Sequence, residues 1–117
     1  MKEGQRGGME DTALMESIMG LIVHSGNTKS ECMEAIQLAK KGGHIEAAKE
    51  KINLANESLI DAHHSQTGLL SQEARGGEKV EVSMLLIHAQ DHLMNAITFR
   101  DLAQEMIELY ERIKGGE

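Results

Sequence analysis

Four polar residues in the C-terminal third of the chain interrupt an otherwise apolar stretch: His88, Asp91, His92 and Asn95. Their offsets are i, i+3, i+4 and i+7, which place all four on or beside one helical face. They interrupt a segment otherwise written Met84-Leu85-Leu86-Ile87 and Leu93-Met94. Two imidazoles and a carboxylate are costly in such a setting unless each is paired, opens to a cleft or binds something. Two chemistries fit the pattern. Histidines at i and i+4 can both reach one divalent ion, although no clear further ligand accompanies them. A neutral imidazole can instead act as a nucleophile or an acid/base group. The residues alone do not choose between these.

A second polar cluster, His63-His64-Ser65-Gln66-Thr67, lies about twenty residues earlier. Gln66 falls on the inner stripe of its own helix. The intervening turn centres near residue 78, so an antiparallel hairpin brings Gln66, with His63, level with His88 and His92. His63 and His64 are adjacent and therefore point in different directions. Other polar or reactive residues have plainer readings: His24 and His44 as ordinary helix residues, and Cys32 as a small core hydrophobe. The eight methionines are mainly core filler, with exposed ones suited to partner surfaces.

Three helices must position these groups. The first opens at Asp11 or Thr12 and carries an inner stripe of Leu14, Ile18, Leu21, Ser25, Thr28, Cys32, Ala35 and Ala39, in steps of three and four. Gly20 and Gly26 inside it suggest close helix approach or a bend. Lys40-Lys41 followed by Gly42-Gly43 is a C-terminal stop. The second helix starts at His44 or Ile45 and ends near Ala74, before Arg75-Gly76-Gly77-Glu78. Its stripe is Ile45, Ala48, Ile52, Ala55, Leu59, Ala62, Gln66 and Leu69. The third starts near Val82 or Ser83 and runs to about Lys114. Its stripe is Leu85, Ala89, His92, Ala96, Phe99, Ala103, Met106, Tyr110 and Ile113, with further apolar residues at Leu86, Leu93, Ile97 and Ile107. A helix apolar on more than one side needs a second surface, which in so short a chain points to another subunit.

Composition agrees. The chain has 117 residues, one domain's worth, with no Pro, no Trp and 2% aromatics. That favours an all-α protein packed by Leu, Ile, Ala and Met. Residues 1–10 are Gly-rich and read as a disordered tail, leaving 11–117 as a single helical domain. The predicted architecture is three helices of roughly 30 residues, each about 45 Å long, in an antiparallel three-helix bundle. One cysteine makes neither an intramolecular disulfide nor a Cys-based zinc site. No apolar run approaches the ~20 residues of a membrane span. The N-terminus lacks the apolar region of a signal peptide, so the expected location is cytoplasmic. A net charge of −7 argues against nucleic acid and anionic membranes, and allows steering toward a basic protein.

Ile87-His88-Ala89-Gln90-Asp91-His92-Leu93-Met94 closely resembles the active-site motif of the lactose/cellobiose-type enzyme IIA of the bacterial phosphoenolpyruvate-dependent sugar phosphotransferase system. Met19-Gly20-Leu21-Ile22-Val23-His24-Ser25-Gly26 resembles that family's first helix, Ala62-His63-His64-Ser65-Gln66-Thr67 its second, and Glu108-Leu109-Tyr110 its C-terminal end. The resemblance spans roughly residues 10–114. It implies an up-down-up bundle that assembles as a homotrimer, with the third helices around a three-fold axis. It implies that His88 takes a phosphoryl group on Nε2 from the phosphohistidine of HPr and passes it to a cysteine of the cognate IIB component. Asp91 matches an aspartate that gathers around one structural Mg2+ per trimer, on the axis. His92 and Gln66 match groups near the phosphorylation site. The wording of the octet and the first helix is closest to the cellobiose and chitooligosaccharide branch. There is no Gly-rich phosphate-cradling loop, and transfer between two proteins requires none.

The alternative from the residues is a helical metal-binding or adaptor protein using His88, Asp91 and His92 together on one ion. A third reading, a purely structural helical assembly module, predicts that none of the histidines matters.

Overall fold

The computed structural model describes residues 2–74 and 83–115, with side chains over 12–71 and 83–115. They form three helices, α1 (Lys2–Gly42), α2 (Ile45–Ala74) and α3 (Met84–Gly115). No strand occurs among the described residues. The molecule measures 70 × 21 × 17 Å, about two helix diameters across its short directions. So thin a bundle has a core one side chain deep.

The helix ends follow local chemistry. Gly43 takes φ +62°, the left-handed conformation that glycine adopts without penalty. The chain then reverses, and the His44 amide donates back to the Leu38 carbonyl at 3.1 Å. Lys114 Nζ donates to the Gly43 carbonyl at 2.7 Å and ties the end of α3 to this loop. Ser83 caps α3: its Oγ accepts from the Leu86 amide at 3.1 Å, and its carbonyl accepts from the Ile87 amide at 3.0 Å. The expected turn at Arg75–Glu78 lies outside the described residues.

Helix α1 differs from expectation at its start. Its backbone is helical from Lys2, whereas composition reads residues 1–10 as a tail. Once packing has nucleated a helix, each added residue contributes a hydrogen bond, so a Gly-rich end can still follow the helical path.

Two buried clusters make up the core. One joins Cys32, Ala35 and Ala39 of α1 to Ile45, Ala48, Ile52 and Ala55 of α2 and to Ala103 and Ile107 of α3. The other joins Ile18 and Leu21 to Leu59, Ala62 and Leu69 and to Ala89, Leu93 and Ala96. Polar pairs lie among them. Thr28 Oγ1 donates to the His24 carbonyl, Ser58 Oγ to Glu31 Oε1, and Arg100 Nη1 to Asn56 Oδ1 at 2.7 Å. The α1 and α2 stripes are buried as predicted, apart from the half-buried Leu14 and Gln66. Gly20 is a point of close approach, since a Cβ there would lie 2.6 Å from Ser65 Oγ of α2. Gly26 is not, because a Cβ there meets nothing within 4 Å.

Helix α3 is turned relative to its predicted inner stripe. Its buried residues are Ala89, Leu93, Ala96, Ala103 and Ile107. Leu93 takes the inward place expected of His92, and Ile107 that of Met106; Leu85 and Ile113 are exposed. Two apolar stripes run along this helix, and burial favours the one without an imidazole. The other faces outward: Met84, Ile87, Met94, Leu102, Leu109 and Ile113 are all exposed, Leu102 and Leu109 by 58% each. At about 100° per residue, Asp91, Thr98, Leu102 and Leu109 share a sector roughly 40° wide, nearly opposite the buried residues.

Candidate functional site

The Ser83 cap starts α3 five residues before His88, which places His88 in the second turn of the helix. His88 is exposed and His92 half-buried, one turn apart. Their Nε2 atoms lie 3.1 Å apart. The rings meet edge to face, with centroids 4.5 Å apart and planes at 83°. For that contact to be a hydrogen bond, one Nε2 carries the proton and the other supplies its lone pair. With His92 as donor, His88 accepts through its Nε2 lone pair and carries its own proton on Nδ1. That tautomer is the nucleophilic one.

Asp91 and Asn95 are exposed on the outward side of the same helix. Asp91 is central in the outward sector, among Ile87, Met94 and Leu102. Among the described residues, no group of three or more His, Cys, Asp or Glu side chains converges as a metal cage. On this face of α3 one chain offers a cation the Asp91 carboxylate, with no complete ligand set among the described residues. Carboxylate oxygens suit a hard ion such as Mg2+, and several chains meeting at Asp91 would complete a site. This same observation weighs against one ion held by His88, Asp91 and His92 within a chain.

Gln66 is half-buried and donates through Nε2 to Gln90 Oε1 at 3.0 Å. It does not bond to His88 or His92. Gln90 is two residues, about 200°, around α3 from His88, so the amide pair and the imidazole pair lie on different flanks of the helix. The hairpin spacing predicts the level of Gln66 along α3 but not the flank it meets. Gln90 was missed as a partner, although an amide beside the inner stripe of each helix was the available signal. His63 and His64 are exposed, and the Thr67 hydroxyl donates to the His63 carbonyl at 2.9 Å.

The electrostatics of this half are lopsided. Residues 12–28, 52–74 and 83–99 contain no Lys or Arg, and they carry Glu16, Glu57, Asp61, Glu73 and Asp91. The described Lys–Glu ion pairs, Lys49–Glu111, Lys51–Glu34 and Lys49–Glu46 at 2.8, 2.7 and 3.8 Å, belong to the other half.

Comparison with known proteins gives these residues a context. Residues 16–111 match the family model for the lactose/cellobiose-specific IIA subunit of the phosphotransferase system. The chain is 54% identical over 96 residues to the lichenan-specific phosphotransferase enzyme IIA component of Bacillus subtilis, covering 82% of this chain and 86% of that one. It superposes on the crystal structure of the cellobiose-specific enzyme IIA from Bacillus anthracis with a TM-score of 0.82. The sequences are 50% identical there, over 89% of this chain and 94% of that one. The chitobiose-specific IIA of Escherichia coli, in its solution complex with HPr, superposes with a TM-score of 0.70 at 38% identity, over 86% and 96% of the two chains. Helical architecture, His-x-x-Asp-His face and family model coincide over nearly the whole described chain, and the protein belongs to the lactose/cellobiose-specific IIA family of the sugar phosphotransferase system.

Proposed function

We propose that this chain is a phosphocarrier that accepts a phosphoryl group from phospho-HPr on His88 Nε2 and passes it to a cysteine of a cognate IIB component. The observation that carries the reading is the exposed His88 ring, in 3.1 Å contact with His92. In the first step the His88 Nε2 lone pair attacks phosphorus, and the donor's phosphorus–nitrogen bond breaks with its electron pair returning to the donor imidazole. In the second, a IIB thiolate attacks phosphorus and the His88 nitrogen leaves with its pair. Both steps need in-line positioning more than covalent machinery. His92 donates to His88 before the transfer and turns its Nε2–H toward a phosphoryl oxygen after it. Gln66 is a positioning residue here, pinning α2 to α3 through Gln90.

The bundle is read as up-down-up, which the two mixed clusters support: the C-terminal half of α1 packs with the N-terminal half of α2 and the C-terminal half of α3. The outward apolar face of α3 supports a homotrimer around a three-fold axis, with Asp91 from each chain holding one Mg2+ there. Bound there, the ion would offset the mutual repulsion of three carboxylates and take no part in the transfer. The likeness to lichenan- and cellobiose-specific relatives supports uptake of cellobiose or related β-linked disaccharides. Intact-mass measurement after incubation with phosphoenolpyruvate, enzyme I and HPr tests the function. One acid-labile phosphate is expected on the wild type and none on His88→Ala. A phosphorylated His88→Ala chain would overturn the assignment.

A further inference from the structure

Where α1 ends and α2 begins, the surface opens into a groove of about 640 Å3. One wall is a face of α1 carrying Met33, Glu34, Leu38 and Lys41, and the other holds His44 and Lys51. Met33 is 47% exposed and Leu38 is half-buried, and the aliphatic stems of the two lysines extend this apolar floor. Leu54, one turn beyond Lys51 on α2, is 45% exposed. The α1 wall runs from Ser30 to Lys41, about 16 Å or three helical turns. This stretch of α1 packs with Ala103 and Ile107 of α3, about four and five turns past His88. The groove is therefore remote from the imidazole pair.

Charge says what fits there. Residues 30–51 are all described, so the charges of the groove are fully counted. Glu34 is answered by Lys51 at 2.7 Å. At the other end of the groove the His44 ring packs against Gly42, beside Lys41. Among the described residues, no ion pair or side-chain hydrogen bond engages Lys41 or His44. Positive charge is thus left unanswered at the end of an apolar trough, in a chain of net charge −7. An open trough between two helices takes the ridge of a third. Carboxylates on that third helix would meet Lys41 and His44. We propose that this groove docks an acidic amphipathic helix of a partner protein. That helix presents apolar side chains in steps of three and four over about three turns, with its carboxylates toward the α1–α2 turn. The proposal does not depend on the phosphocarrier reading, and a protein docked here leaves His88 open.

The probe is a stapled helical peptide of leucine, alanine and glutamate, its leucines in steps of three and four, compared with its lysine-for-glutamate counterpart. Fluorescence anisotropy with the full chain reads the affinity. The acidic peptide is expected to bind at least tenfold tighter than the basic one, and to weaken as salt is raised. Met33→Leu is expected to keep that affinity, Met33→Glu to reduce it at least tenfold and Lys41→Glu at least fivefold, each variant with wild-type helicity and oligomer mass. No binding, or equal affinity for the two peptides, would overturn the acidic partner. Wild-type affinity in both Met33→Glu and Lys41→Glu would overturn the groove, as would a loss confined to Leu102→Ala on α3. A lower oligomer mass in Met33→Glu would assign the groove to a copy–copy contact and overturn the proposal as well.

Discussion

The phosphocarrier reading concentrates the chemistry of this protein in one imidazole, that of His88. His88 meets His92 and otherwise faces solvent, so removing either ring has separable consequences. His88→Ala removes the proposed acceptor at an exposed position; its melting temperature is expected to stay within about 2 °C of wild type, since exposed substitutions shift stability by under about 0.5 kcal/mol. His92→Ala keeps the nucleophile and removes its donor. Acceptance is expected to persist at a rate lower by one to two powers of ten, measured in the same mass assay, in line with the general contribution of a positioned proton donor. A wild-type rate in His92→Ala would remove His92 from the transfer.

Cys32 makes a second prediction through pH. Its thiol is fully buried, and desolvation pushes its pKa up to about 11; Arg100 opposes that shift and Glu31 adds to it. The folded state thus favours the protonated thiol more than the unfolded chain does, where the pKa is near 9.0. A raised folded-state pKa gives stability that is complete below about pH 9 and is lost as pH rises through about 11. The loss is on the order of 2 kcal/mol. Cys32→Ala is expected to start less stable at pH 7, through the small cavity it leaves, and to show a shallower decline between pH 9 and 11 in urea titrations. Parallel declines in the two proteins would show that the alkaline loss comes from other groups.

Among the helices, two glycines in α1 that look alike in sequence separate in space. Gly26 has open space where a Cβ would go, so Gly26→Ala reduces backbone freedom in the unfolded chain and clashes with nothing. It is expected to raise stability by about 0.5–1 kcal/mol. Gly20→Ala places its methyl 2.6 Å from Ser65 Oγ, which must rotate away, and the gain is expected to shrink or reverse. Urea midpoints of the two variants measure the contrast; equal gains would remove the close approach between α1 and α2. The helices themselves, the stop of α1 at Gly43, the start of α3 at Ser83 and the α1 and α2 stripes are readable from spacing and end signals. The facing of α3 is not. A helix apolar on two sides has two stripes at the same period, and spacing alone does not say which meets the bundle. His92 and Leu93 are neighbours with opposite answers, decided by the cost of burying a ring nitrogen. The site was readable to the same degree: one face of α3 held His88, Asp91 and His92 together, while the Gln66–Gln90 pair depended on the angle between helices, which one-dimensional spacing does not carry.

The bundle as a whole leaves two surfaces unfinished, the outward face of α3 and the α1–α2 groove, and among the described residues only the first holds an unpaired carboxylate, Asp91, at its centre. Leu102 and Leu109 lie near Asp91 in angle but about three and five turns further along α3, so a parallel three-fold association through this face puts apolar contacts below and three negative charges near the top. Apolar burial favours assembly, and carboxylate repulsion opposes it until a divalent cation enters. The two terms separate by mutation. Leu109→Glu adds a second ring of charge with no cation to answer it, and a monomer is expected by sedimentation. Asp91→Leu removes the repulsion: it is expected to stay trimeric, to lack the one Mg2+ per trimer expected for the wild type in calorimetry, and to melt at the same temperature with and without EDTA. The wild type is expected to melt lower in EDTA, because an ion that binds only the assembled state stabilises that state by mass action. If Asp91→Leu retains wild-type Mg2+ binding, the ion lies elsewhere. If Leu109→Glu remains trimeric, the outward face of α3 is not the seam.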